Sequence, residues 1–164
     1  MNKEEILQEI EKTKKHLANM EKMLGEHNKR WKPKPSEEYY CVDDGNDIRR
    51  VNFNIVDVYD RDRIKAYNCF PTREQAEQEA EKILVRRQLE DIARRLNKGQ
   101  KIDWSDEYQT KSFIFFDCKT QLIERDGNLR NKIQGVVYCL DENFKDIAIQ
   151  EIGEERLIKY LRGK

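Results

Sequence analysis

The side chains with the widest chemical range are four cysteines and two histidines. Cys41, Cys69, Cys118 and Cys139 stand 28, 49 and 21 positions apart, with no C-x-x-C pair among them. Structural zinc is usually held by close pairs, so no metal is expected, although a site gathering all four thiolates stays geometrically open. On strands, such thiols read as small buried hydrophobes. A nucleophile needs a base beside it. The histidines, His16 and His27, lie far along the chain from every cysteine except Cys41. Cys–His and Ser–His chemistry is therefore not expected, and no catalytic residue is assigned.

Carboxylates crowd one stretch, at Asp43, Asp44, Asp57, Asp60 and Asp62. A Mg²⁺ nuclease centre would need such acids to converge beside a lysine. Here Arg61 and Arg63 alternate with the last of them. Solvated turn charges are the preferred reading, because acids adjacent in sequence seldom converge on one ion. There is no Walker pattern and no G-x-G-x-x-G, so no nucleotide cofactor is expected by those routes.

Arg49-Arg50, Arg86-Arg87 and Arg94-Arg95 are dibasic points, and Glu90 and Asp91 fall between the last two pairs. Trp31 sits in the basic run Lys29 to Pro35. Yet Lys plus Arg number 32 and Asp plus Glu number 32, giving no net charge. Phosphate contact is driven by counterion release from a cationic surface, so nucleic-acid binding is the alternative reading, not the first. With 39% charged residues and a mean hydropathy of −1.00, the chain is polar with a modest core. No apolar run approaches the ~20 residues that cross a bilayer. Met1-Asn2-Lys3-Glu4-Glu5 is too polar for a signal peptide. A cytoplasmic protein with reduced cysteines is the expectation.

The elements that would position these groups begin with a helix over residues 1–25. Ile6, Ile10, Thr13, Leu17, Met20 and Leu24 are spaced 4, 3, 4, 3, 4, an a/d seam flanked by Lys and Glu. The seam fits a helix packed on its own domain or, equally, a coiled coil and a homo-oligomer, most simply a dimer, through Ile6, Ile10, Leu17, Met20 and Leu24. Residues 26–38 read as a linker in which Pro33 and Pro35 favour an extended path. Its preferred role is a solvated connection with Trp31 docked on the domain. The α+β domain then spans 39–164.

In that domain, Tyr39 to Val42 predicts a short strand and 48–59 the clearest one, with Val51, Phe53, Ile55 and Tyr59 on a buried face. Asp60 to Arg63 reads as a turn and Ile64 to Phe70 as a returning strand. Thr72 with Gln75 matches a capping box for a helix to Leu96. Its two apolar stripes, Ala76/Ala80/Ile83/Leu84 and Val85/Leu89/Ile92/Leu96, face different directions. Strands follow at 112–118, around 122–124 and at 133–140. Asp141 is then a candidate cap for a helix, Gly153 a break, and Glu154 to Leu161 a last short helix.

Offsetting the chain by 69 places Thr72 on Asp141, Ala80 on Ile149 and Ile83 on Ile152. Tyr39-Tyr40 and Phe115-Phe116 open the halves, and Asp44-Gly45 is matched with Asp126-Gly127. The predicted fold class is α+β: an antiparallel sheet built from two repeated strand–strand–helix units, 39–97 and 111–162, behind the coiled-coil helix.

Several segments carry a resemblance. They are Trp31-Lys32-Pro33-Lys34 ahead of Glu37 and Tyr39-Tyr40, Phe70-x-Thr72-x-Glu74-x-Ala76, Leu96-Asn97, Asp103-Trp104-Ser105-Asp106, and Ile149-x-x-Ile152-Gly153-Glu154-Glu155-Arg156-Leu157. Over residues 31–161 the chain resembles uncharacterised proteins encoded by phages and prophages of Gram-positive bacteria. The resemblance implies an origin in a mobile element and carries no catalytic residue with it. Small phage proteins commonly bind a host or phage protein, and inhibitors of host defence such as anti-CRISPR proteins are among them. The expectation is a non-enzymatic protein-interaction module acting by occlusion. Exposed Trp and Arg dominate interface energetics, so the candidate contacts are Trp31, Arg49, Arg50, Trp104 and Arg130. A tryptophan that proves buried is an anchor and leaves that set.

Overall fold

The structure, a computed structural model, describes residues 9–17, 20, 30–127 and 132–163. It is an α+β fold. A helical stretch over 9–17 (α1) precedes β1 (Glu38–Val42), β2 (Ile48–Asn52), α2 (Val58–Lys65), α3 (Arg73–Leu96), β3 (Phe113–Asp117), β4 (Leu122–Asp126), α4 (Phe144–Ile152) and α5 (Glu154–Leu161). No helix among the described residues is long and apolar enough to cross a membrane.

The strands form two separate antiparallel hairpins, β1–β2 and β3–β4, not one merged sheet. The outer edge of each first strand is taken up locally. Tyr40 and Phe70 exchange backbone hydrogen bonds of 2.9 Å each, and Ser112 and Cys139 do the same at 2.7 and 2.8 Å. In both cases the bridging residue lies shortly before a helix. These single bridges replace the predicted full strands at 64–70 and 133–140.

The helix α3 joins the halves. Thr72 caps it, its hydroxyl accepting from Gln75 N at 3.3 Å. The small residues Ala76 and Ala80 let its first half lie close against β1 and β2, and both are buried. Val85, Leu89, Ile92 and Ala93 enter a second core with Ile114, Ile123, Phe144, Ala148, Ile152 and Leu157. Ala76 and Ala80 of the first stripe thus serve one neighbour and the second stripe another, whereas Leu84, expected on the first stripe, is exposed. The helices α4 and α5 lie between α3 and the β3–β4 hairpin, and fully burying residues such as Leu89 or Phe144 contributes about 1.5–3 kcal/mol each. Gly153, at φ 96°, adopts a left-handed turn between α4 and α5 that a side chain would strain.

Four further expectations are corrected. The strand expected over 48–59 ends at Asn52, and the expected turn at Asp60 to Arg63 lies inside α2. Asp57 caps that helix, its carboxylate accepting from Tyr59 N at 2.8 Å. Ile55 and Tyr59 are therefore exposed. Asp141 does not cap α4; the cap position is Asn143, and Asp141 instead accepts from Asn143 N at 2.8 Å. Asp44-Gly45 lies in the β1–β2 turn whereas Asp126-Gly127 follows β4, so these two turns do not correspond. The second hairpin turns at 118–121, where Asp117 accepts from Lys119 N at 2.7 Å.

Candidate interaction surface

Beneath the first hairpin lies a buried carboxylate. Asp60, 2% exposed, accepts from Tyr39 Oη at 2.6 Å, from Asn54 N at 2.7 Å and from Arg63 Nη1 at 3.0 Å. Arg63 Nη1 also donates to Tyr39 Oη at 3.2 Å. A buried carboxylate is tolerable only when its lone pairs are filled in this way. Burial, and then the hydrogen bond to Asp60, hold the Tyr39 phenol well above the usual tyrosine range. The cluster therefore works as a polar fastener between β1, α2 and the loop joining β2 to α2.

That loop is shaped by its own side chains. Asn54 Oδ1 accepts from Val56 N at 3.1 Å, and Asp57 caps α2. Such Asx turns bend the chain over two residues. Asn54 N is tied to Asp60 below, and the chain beyond it turns outward. Ile55, Val56, Val58 and Tyr59 are left 61, 76, 56 and 74% exposed. Single exposed apolar residues are ordinary, but four within five positions form a ridge of the sort that marks an interaction site.

Beside the ridge runs a groove of about 460 Å³, between α2 and the β1–β2 turn. Tyr59, Ala66 and Val42 line it together with Asp44, Asp62 and Arg49. Arg49 is fixed over it by Asp43, Nε to Oδ2 at 2.7 Å. The hydrogen bond from Asp47 N, followed by Arg49, lowers the pKa of the Asp43 carboxyl below its usual range.

A second concavity, about 580 Å³, lies at the C-terminal end of α3. Trp104 forms its wall, meeting Tyr138 edge-on with ring centres 4.9 Å apart. Lys101 and Lys132 stand on the lining, neither with an acidic partner among the described residues. The buried Lys111 ammonium staples the neighbouring loop by donating to the carbonyls of Asp106 and Gln109 at 2.7 and 3.0 Å.

The candidate contact residues are scattered over these features. Trp31 is half-buried against the core of Tyr39, Cys41, Phe53 and Cys69. Its neighbour Arg30 donates to Ile64 O at 2.7 Å and stacks on the Tyr67 ring at 3.6 Å. Trp104 is half-buried on Tyr138. Arg49 lines the groove, and Arg50 is exposed, 3.7 Å from Glu38. Arg130 lies outside the described residues, as do Ile6 and Leu24 of the helical seam. Ile10, Leu17 and Met20 are exposed, at 45, 50 and 36%.

The five acids do not converge on an ion. Asp60 is in its buried cluster, Asp57 is a cap, Asp43 pairs with Arg49, Asp62 pairs with Lys65, and Asp44 lines the groove. Asp60 is thus corrected from a solvated turn charge to the most deeply buried acid among the described residues. The cysteines are also dispersed: Cys41 and Cys69 lie in the first core, Cys139 in the second, and Cys118 is exposed. The sequence places Ile55 and Tyr59 on a buried strand face because Val51-Asn52-Phe53-Asn54-Ile55 alternates apolar and polar residues as a strand does. The ridge's one distinguishing signal is Asn54 and Asp57, both turn and cap formers, bracketing the apolar pair. Comparison with known proteins finds no matching family model, no matching curated protein and no matching solved structure.

Proposed function

We propose that the protein is a non-catalytic protein-interaction module of phage or prophage origin that occludes a protein of its bacterial host or phage through the Ile55–Tyr59 ridge. The observation that carries this reading is the ridge itself, four apolar side chains held outward by a buried carboxylate. Burying them on a partner recovers transfer free energy that folding leaves unused. Arg49 and Asp44 beside the groove would supply orientation. Trp31 and Trp104 then serve as anchors of their own loops. Inhibition of a host defence system in the bacterial cytoplasm, of the anti-CRISPR kind, is the setting the sequence resemblance suggests.

The finer architecture belongs to the same proposal. We read the two hairpins, each with one bridge to a residue ahead of a helix, as two diverged strand–strand–helix units sharing α3. The N-terminal helix is read as a dimerising coiled coil, and paired copies would strengthen partner binding through effective concentration. Support comes from α1, whose described seam residues are uncovered by the domain.

A nucleic-acid reading rests on Trp104 with Lys101 and Lys132. Against it, five of the six arginines in the dibasic points, Arg49, Arg50, Arg86, Arg94 and Arg95, pair with acids, which lowers their availability to phosphates.

The test is quantitative affinity capture from a bacterial host lysate with the wild type, V56D and K101E/K132E. A protein captured by the wild type and K101E/K132E but lost with V56D supports the ridge. Capture unaffected by V56D removes it. Salt-dependent retention on heparin that K101E/K132E abolishes would favour nucleic acid. Light scattering before and after deletion of residues 1–25 tests the dimer, and a monomer in both cases ends that part of the proposal.

A further inference from the structure

Cys41 and Cys69 are 28 positions apart, yet the bridge between β1 and the lead-in to α3 sets them face to face. Tyr40 N donates to Phe70 O and Phe70 N to Tyr40 O, both at 2.9 Å. Tyr40 and Phe70 are therefore a hydrogen-bonded antiparallel pair, and one step along, Cys41 is opposite Cys69. The step after that is also tied. Val42 N donates to Asn68 Oδ1 at 2.8 Å, and Asn68 Nδ2 donates to Val42 O at 2.5 Å.

Cys41 and Cys69 thus occupy a non-hydrogen-bonded position fixed on both sides. At such positions the Cα atoms approach to about 4.5 Å, and directly opposite side chains leave on the same face. That separation lies at the short end of the window a disulfide spans, about 4.4–6.8 Å. Both residues belong to one buried cluster, with Tyr39 and Phe53. The other thiols lie elsewhere: Cys118 is exposed beyond β3, and Cys139 donates to Asn97 Oδ1 at 3.3 Å in the second core.

We propose that Cys41 and Cys69 are a dithiol–disulfide site that closes into an intramolecular cross-strand disulfide and pins the lead-in of α3 to β1. The oxidant is a small-molecule disulfide such as oxidised glutathione. One cysteine thiolate attacks its S–S bond, forming a mixed disulfide and releasing one thiol. The second cysteine, deprotonated in turn, attacks the cysteine sulfur of that mixed disulfide and releases the second thiol. The pair loses two protons and two electrons, and the small disulfide is reduced to two thiols.

Burial pushes the Cys41 thiol up and the Cys69 thiol up to about 11. The folded pair therefore reacts slowly, and closure proceeds as residues 68–70 lift from β1 or as the chain folds. The closed ring contains β2, the ridge and α2, so oxidation would restrain the surface that the proposed function uses. The disulfide itself does not depend on that function.

The full chain carrying C118S, which removes the exposed thiol, is refolded in a buffer of oxidised and reduced glutathione. It is then blocked with an alkylating reagent and mapped without reduction. The expected product has lost two hydrogens and yields one linked peptide pair, joining Cys41 to Cys69. Its Tm should exceed that of the reduced form by roughly 6–12 °C, from the loss of unfolded-chain entropy. In C69S/C118S both the link and the shift should vanish. Recovery of Cys41 and Cys69 as alkylated thiols, or equal yields of links to Cys139, would overturn the proposal.

Discussion

The two hairpins use the same hydrogen-bond scheme and fill the space beside it in opposite ways. Around β3–β4, three helices deliver aliphatic and aromatic side chains, and the core of Leu89, Ile92, Phe144 and Leu157 is apolar and continuous. Around β1–β2, α3 contributes Ala76 and Ala80, and the remaining space holds Tyr39, Cys41, Phe53 and Cys69 beside the carboxylate of Asp60. A small core closed by a polar cluster fixes geometry more than it adds stability. The second half therefore supplies folding free energy, and the first holds a loop in a conformation that leaves apolar residues outside.

The severest test of this division is Phe144→Ala. Phe144 is fully buried, and truncating such a residue costs about 3–5 kcal/mol. Denaturant unfolding should show a single lowered transition that includes the first hairpin, because α3 is common to both cores. Asp60→Ala comes next. It removes the acceptor for Tyr39, Asn54 and Arg63, and the partly exposed Arg63 can turn to water, so about 2–3 kcal/mol is expected. Hydrogen exchange should quicken first at the Asn54 amide. Uniform quickening across both halves would break the comparison.

Raising the pH reaches the same cluster from another side. The Tyr39 phenol has its pKa raised in the fold, first by burial and then by Asp60. The folded state therefore holds this proton where the unfolded chain releases it. Its stabilising contribution is complete below pH ~10 and falls as pH rises beyond the ordinary tyrosine range. Chemical unfolding at several alkaline pH values should show a steeper loss for the wild type than for Tyr39→Phe. Cys69, raised to about 11, adds a loss of the same sign from pH ~8.5 upward in both proteins.

The sequence was most readable where one local rule acted alone. Thr72 with Gln75, and the stripe Val85, Leu89 and Ile92, have helical spacing and a cap, and α3 runs from Arg73 to Leu96 with that stripe buried. The second hairpin was similarly plain in Phe113 to Phe116. Residues 53–65 were not, because α2 is held by Asp60 and not by an apolar stripe. A helix of VYDRDRIK has almost no hydrophobic periodicity to detect, and Val51, Phe53 and Ile55 extend a strand pattern past its end. The bridges at Phe70 and Cys139 were expected as whole strands because a single pair of hydrogen bonds leaves no periodic trace. The ridge escaped for a related reason: exposure is a tertiary fact, and Ile55 and Val56 have the composition of core residues.

Thr72→Ala is a smaller intervention at the join between the halves. Loss of the cap bond to Gln75 N should cost about 1 kcal/mol, measured by thermal or denaturant unfolding. The effect should appear mainly in the first half, since the opening turns of α3 touch β1 and β2 while its later turns are held by α4 and α5. Equal loosening of the second core would mean that α3 transmits strain along its whole length.

The smallest expected effect on stability is the most informative about use. Val56 is 76% exposed and Tyr59 74%, so Val56→Asp and Tyr59→Ala remove little packing from the folded chain. Each should alter unfolding free energy by no more than about 0.5 kcal/mol. A loss of several kcal/mol would mean that the ridge is buried in solution, by a second copy or by another part of the chain, and that the first half is stabilised through it. Retained stability with loss of partner capture would separate the two roles: the second core maintains the fold, and the first spends its polar cluster on displaying a surface. Circular dichroism melts of both variants beside the affinity capture decide between these outcomes.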